Sequence, residues 1–243
     1  TDVTAQYLIH GGVISPFEIF EDGRHYVASS GGAYIDTEVA ASETLCAEMD
    51  FAPLEYTGKV SLGTFADPTE NSWRFFNYGT GDQGFIFDNG KARLGRVVGD
   101  KLTLGERYHV SVGYTNETLY LAVTGADMNR SYTGAFTGAV DTSLNVKACA
   151  SAMRLYSLKL YDIVNGEVKL VRDFVPFQTT DGTEIAGLYD RVTKKCFINA
   201  GGGSLTLGAD GMVTYLDYDA ATGTFEEKIC TDFTTPFLRT IMP

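Results

Sequence analysis

Short runs in which apolar and polar residues alternate, closed by glycine-bearing turns, recur along most of the chain, and this rhythm restricts the fold more than any other feature. In residues 44–51, apolar Leu45, Ala47, Met49 and Phe51 alternate with Cys46, Glu48 and Asp50, which is a strand with two unlike faces. Similar runs occupy 25–27, 33–35, 60–65, 73–78, 85–94, 108–114, 119–123 and 155–161. Asn89-Gly90 and Asn165-Gly166 are the dipeptide that a type I′ hairpin turn favours, so each predicts a hairpin. Runs that follow one another every ~8–12 residues, with no helical periods between them, belong to packed antiparallel sheets. With 27 glycines and 14 tyrosines in 243 residues, 44% of them apolar, the chain has the core and the turns for one large sandwich with scarce helix.

The pattern divides the chain into an N-terminal arm over 1–25, a sandwich over 26–208, and a C-terminal hairpin or extension over 209–243 packed on the same domain. Asp210-Gly211 and Thr222-Gly223 provide the turns of that last segment. The net charge of −12 is spread along the chain and repels phosphate backbones and anionic lipid, which argues against nucleic acid as a partner. No run approaches the ~18 apolar residues of a membrane helix, so no membrane insertion is expected. The chain opens at Thr1 without a basic region or an apolar leader, and reads as a processed or excised piece.

No cofactor is expected. Calcium is the cation that the acidic composition would suit, although no dense Asp-x-Asp-x-Asp-Gly run is present. Cys46, Cys149, Cys196 and Cys230 are widely spaced with no C-x-x-C, which fails the zinc and redox patterns. Cys46 and Cys149 sit in apolar runs and read as small buried hydrophobes, and disulfide formation stays open.

Residues 26–37, Tyr-Val-Ala-Ser-Ser-Gly-Gly-Ala-Tyr-Ile-Asp-Thr, resemble the opening motif of concanavalin A-like, laminin-G-like jelly-roll domains. Such domains occur in secreted and surface proteins of gut bacteria and in phage tail proteins. Residues 155–162, 170–176, the string Gly187-Leu188-Tyr189-Asp190, and 197–201 strengthen the resemblance, which covers about 26–208. It implies an all-β jelly roll of two curved antiparallel sheets, an accessory module rather than an enzyme, in an extracellular, cell-surface or virion-associated setting. In physical terms, Gly187 and Gly201 suit turns, Pro176 suits a strand end, and Leu188 and Tyr189 suit core or corner packing.

Candidate binding residues come from two strands. Trp73, Arg74, Phe75, Phe76 and Tyr78 form the densest aromatic run, and parity places Trp73 and Phe75 on one face with Arg74, Phe76 and Tyr78 on the other. If one face lines a groove, its aromatic planes and neighbouring polar groups would hold a sugar; otherwise the rings pair across strands inside the sandwich. Glu48 and Asp50 share the polar face of their strand, with Glu55 further along. Laminarinase-type hydrolases carry an E-x-D-x-x-E strand, from which Glu48-x-Asp50 departs through the longer spacing to Glu55 and the intervening Pro53. The string Gly79-Thr80-Gly81-Asp82-Gln83-Gly84 precedes a strand rather than a helix, which removes the dinucleotide reading. His10, His25 and His109 lie in separate segments with no partner motif. Asn116-Glu117-Thr118 and Asn129-Arg130-Ser131 fit the short N-glycosylation string, which arises readily by chance.

The leading expectation is a non-catalytic module that binds a glycan or surface polymer, with Trp73, Arg74, Tyr78, Glu48 and Asp50 as candidate contacts. One alternative is a structural or adhesive component of a phage particle or bacterial surface that pairs with neighbouring subunits. The other is a jelly-roll glycoside hydrolase or polysaccharide lyase.

Overall fold

The structure is a computed structural model that describes residues 6–56, 59–65, 71–77, 84–95, 97, 99–115, 118–125, 128–210, 214–219 and 224–229, with 115, 214–219 and 224–229 described by their backbone alone. Its strands run Gln6–His10 (β1), Val13–Ile19 (β2), His25–Ser30 (β3), Ile35–Ala40 (β4), Cys46–Pro53 (β5), Val60–Gly63 (β6), Ser72–Asn77 (β7), Phe85–Gly90 (β8), Ala92–Gly95 (β9) and Tyr108–Thr115 (β10). They continue with Thr118–Gly125 (β11), Asn129–Ala135 (β12), Asn145–Ala148 (β13), Ala152–Val164 (β14), Glu167–Thr179 (β15), Ala186–Asp190 (β16), Lys195–Ile198 (β17), Leu205–Ala209 (β18), Thr214–Asp219 (β19) and Thr224–Ile229 (β20). No α-helix occurs among the described residues.

The chain divides into two compact units, Thr1–Gly208 and Ala209–Pro243. The first is an antiparallel β-sandwich, an arrangement compatible with a jelly roll. Its 12-stranded sheet runs β1-β2-β15-β14-β5-β10-β11-β12, with β16 added on β15 and β17 on β16, and with β3 added on β14 and β18 on β3. Its six-stranded sheet runs β4-β13-β6-β7-β8-β9. Alternation decides which side chains fill the space between the layers. Ala47, Met49 and Phe51 of β5, Val110 and Val112 of β10, and Leu119, Leu121 and Val123 of β11 meet Trp73 and Phe75 of β7 and Phe87 of β8 in one buried cluster. Edge-to-face pairs lock the aromatic part: Phe51 on Phe75 at 5.8 Å and Trp73 on Phe87 at 5.4 Å between centroids. A smaller cluster of Leu8, Val175, Phe177 and Tyr189 anchors the β1–β2 hairpin, so residues 6–19 belong to the large sheet. The second unit contains the β19–β20 hairpin, with Thr214 opposite Ile229 and Asp219 opposite Thr224.

Three local expectations need correction. The 85–95 hairpin forms, but Asn89 pairs with Ala92, so its two loop residues are Gly90 and Lys91, and only Gly90 has a positive φ, 64°. The turn is displaced by one residue because Asn89 belongs to the ladder, opposite Trp73. At 165–166 both residues take positive φ, 54° and 81°, as a type I′ turn requires. Pro176 does not end its strand, since β15 continues to Thr179. On the edge it occupies, pairing with β14 stops at Phe174 and pairing with β2 starts at Phe177, so a missing N–H costs no ladder bond there. Gly187 lies inside β16 rather than in a turn; a Cβ there would stand 2.2 Å from the Phe197 carbonyl oxygen and 2.8 Å from the Phe177 ring.

Candidate functional site

The face of the large sheet turned away from the six-stranded sheet carries the residues that alternate with the core set. Register aligns them in rows. One row runs Tyr120, Gly113, Cys46, Tyr161, Leu170, with Gly113 abutting Cys46 just past the end of the β5–β10 ladder; the next runs Ala122, Ser111, Glu48, Lys159, Asp173; a third runs Thr124, His109, Asp50, Ser157. Small residues at Gly113, Ser111 and Ala122 leave the middle of this face low, and large ones stand around it.

In the first row these heights border an open hollow of about 340 Å³ lined by Cys46, Ala47, Glu48, Tyr120, Tyr161, Ile163 and Val168. Gly113 is required for it. A Cβ at that position would lie 2.5 Å from the Cys46 sulfur and 2.9 Å from the Tyr120 hydroxyl, so any side chain would displace both. Ile163 and Val168 are directly opposed where the β14–β15 hairpin ends and form an apolar wall. Tyr161 donates its O–H to Glu48 Oε2 at 2.8 Å. Burial, followed by the hydrogen bond to Glu48, pushes the Tyr161 phenol up to about 12, so it stays protonated and keeps donating. Burial also holds the Tyr120 phenol far above its ordinary range, with the Cys46 thiol beside it as the next cause. The Cys46 thiol is itself raised, chiefly by burial, and therefore stays a neutral group rather than a nucleophile.

Asp50 stands in a different setting. It accepts from Arg107 Nη2 at 2.9 Å and is bonded to His109 Nδ1 at 2.8 Å. Burial raises its carboxyl, but the hydrogen bonds from His109 and Arg107 outweigh that and hold it below the usual carboxylate range. Arg107 also donates to the Gly23 carbonyl at 2.6 Å and lies 4.1 Å above the Tyr156 ring, which fastens the 20–24 segment to this end of the sheet. The face therefore has a closed end around Asp50 and an open hollow around Glu48.

The aromatic run on β7 is elsewhere. Trp73 is 0% exposed, and its indole N–H donates to the Leu45 carbonyl at 3.1 Å across the two layers, which leaves no ring face for a ligand. Arg74 is largely buried and pairs with the buried Asp88 at 3.1 Å, beside Phe76 at 4% exposure. Tyr78 and residues 79–83 of the glycine string lie outside the described residues. Glu55 accepts from the Ala152 amide at 2.8 Å and faces Lys59, so it serves the fold beyond Pro53. His25 pairs with Asp22 at 2.8 Å, in the segment next to Arg107.

Cys46, Cys149 and Cys196 are free thiols, and Cys230 lies outside the described residues. Among the described residues no group of three or more His, Cys, Asp or Glu is placed to hold a metal ion, and no helix is long and apolar enough to cross a membrane. The residues that alternation alone does not single out are Gly113, Tyr120 and Tyr161. Gly113 carried the available signal, since a glycine inside an apolar alternating strand marks a close approach.

A comparison of the chain with protein-family models finds none that matches, and a search of curated proteins finds no match.

Proposed function

We propose that the protein is a non-catalytic carbohydrate-binding module of the concanavalin A-like, laminin-G-like kind, acting in an extracellular or cell-surface setting through the hollow on its large sheet. The observation that carries this reading is the cavity itself. Its volume of about 340 Å³ falls within the ~300–1,000 Å³ usual for small-molecule sites, and its lining combines the rings and hydroxyls of two tyrosines with an aliphatic wall and a carboxylate. Sugars need that mixture, because the apolar face of the ring packs on aromatic or aliphatic carbon while the hydroxyls require hydrogen-bond partners in fixed places. A hydrolase reading is weaker, since among the described residues the carboxylates nearest Glu48 on its strand are engaged: Asp50 is tied to Arg107 and His109, and Glu55 to Ala152. Affinity electrophoresis through gels containing neutral and amino polysaccharides, with and without calcium, tests the reading. The wild type should be retarded and Tyr120→Ala should migrate freely at a temperature where circular dichroism shows the variant folded. No retardation by any polysaccharide would sink it.

The β1 edge favours a second reading, a surface or particle component that self-associates. β1 pairs only with β2 among the described strands, its side chains carry no Lys, Arg, Asp or Glu, and Tyr7 and Ile9 are 58% and 73% exposed. A bare, uncharged edge is the template onto which an identical strand adds. Light scattering should then report a dimer that Ile9→Lys returns to monomer; a monomeric wild type at high concentration rules this reading out.

A further inference from the structure

Glu48 and Asp50 leave β5 on the same face two positions apart, yet their charges are met differently. Asp50 has a guanidinium and an imidazole on it. Glu48 has the Tyr161 hydroxyl on one oxygen and, among the described residues, no Lys, Arg or His within ion-pair distance. Lys159 sits opposite Glu48 in register but makes no ion pair with it. Its other cross-strand neighbour, Ser111, is uncharged. The groups that share the cavity with it are the neutral Cys46, Tyr120 and Tyr161 together with the aliphatic Ile163 and Val168. Glu48 is half-buried, lines a partly apolar hollow and makes no ion pair, so its carboxylate is open to a cation that arrives with a ligand.

We propose that the counter-ion is supplied by the ligand, and that the hollow selects a glycan bearing a protonated primary amine, an amino sugar without its N-acetyl group. This rests on the carbohydrate-binding reading and names the class of sugar. The ammonium would meet Glu48, with the Tyr120 and Tyr161 rings adding the attraction that aromatic faces exert on cations. The aliphatic carbons of the sugar ring would lie against Ile163 and Val168. The net charge of −12 works in the same direction, drawing cationic polymers towards the protein and repelling polyuronates and sulfated chains. An N-acetylated sugar brings an uncharged amide to Glu48 and leaves its charge uncompensated.

Calorimetric titration with four probes in mildly acidic buffer tests the proposal: an oligomer of glucosamine, the same oligomer N-acetylated, an oligogalacturonate, and oligolysine. The wild type should bind the amine form about tenfold or more tighter than the N-acetylated form, the scale of one charge-assisted hydrogen bond, and should ignore the uronate. Added salt should narrow the gap. Glu48→Gln, which keeps shape and a hydrogen-bond acceptor, should remove most of the preference while leaving the melting temperature unchanged. If N-acetylated or uronate oligomers bind as well as the amine, or if Glu48→Gln keeps the preference, the amine assignment is wrong and the carbohydrate reading survives. Oligolysine bound by the wild type in place of the glucosamine oligomer would assign the hollow to a basic peptide instead. Absence of binding to all three sugars defeats the amine assignment, and the carbohydrate reading falls with it only if no polysaccharide gel, neutral ones included, retards the protein.

Discussion

Replacing Trp73 with alanine is expected to lower the stability of the sandwich by about 3–5 kcal/mol, the cost of emptying a large buried aromatic site. For a domain of this length that corresponds to a fall in melting temperature of roughly 6–20 °C. Two losses combine. The indole is fully buried against Phe87 between the layers, so its removal leaves a void bounded by rings that cannot collapse into it. Its N–H also donates to the Leu45 carbonyl at 3.1 Å, and that acceptor, just before β5, would be left without a partner. Sugar binding provides the contrast. At temperatures where the variant remains folded, its affinity should match the wild type, because the indole lines no part of the hollow. Thermal melts and binding titrations on the same preparation separate the outcomes: lost affinity with unchanged melting would make Trp73 a ligand contact, and the inward orientation would be untenable.

Trp73 also shows how far alternation reaches. Parity along 73–78 groups Trp73 with Phe75 and Arg74 with Phe76, and β7 keeps that grouping. It could not say which face would be core, because both faces of β7 are covered: Phe76 is almost fully buried and Arg74 is drawn onto Asp88 of the neighbouring strand. On β5 the same reasoning succeeds, since Glu48 and Asp50 stand opposite Met49 and Phe51. The hollow is a different kind of object. It exists because β14 and β11 end up on either side of the β5–β10 pair, which brings Tyr161 and Tyr120 around Cys46. Lateral strand order is a property of the whole chain, and period-two patterning within one segment contains nothing about it. Pro176 fails as a stop signal for a related reason: whether a missing N–H matters depends on which neighbour lies alongside, and there β15 is passing from β14 to β2.

Asp190→Ala should be nearly as damaging as the loss of Trp73, at about 3–5 kcal/mol, through polar rather than apolar contacts. Asp190 ends β16 and is 0% exposed. Its Oδ1 accepts the Asp173 amide at 2.8 Å and the Val192 amide at 3.1 Å; its Oδ2 accepts the Thr193 amide at 3.1 Å and the Thr193 hydroxyl at 2.6 Å. Arg172 Nε lies 3.6 Å from Oδ2. One carboxylate thus closes the β16–β17 turn and ties it to β15, which gives Gly187-Leu188-Tyr189-Asp190 a physical reason to be a fold motif: close approach at Gly187, core packing at Leu188, and turn closure at Asp190. Alanine would take the acceptor away from the Asp173, Val192 and Thr193 amides and from the Thr193 hydroxyl, while Arg172 keeps its bonds to the Thr37 and Val171 carbonyls. Asparagine keeps the volume and one acceptor oxygen but offers an N–H₂ group where donors already converge, so it should cost about 1.5–3 kcal/mol. Urea unfolding gives the magnitudes, and hydrogen exchange at the Val192 and Thr193 amides should quicken in both variants, more in alanine. A loss below about 0.5 kcal/mol for Asp190→Ala, the level of an ordinary surface change, would mean that the turn closes without the carboxylate and that the motif owes its form to something else.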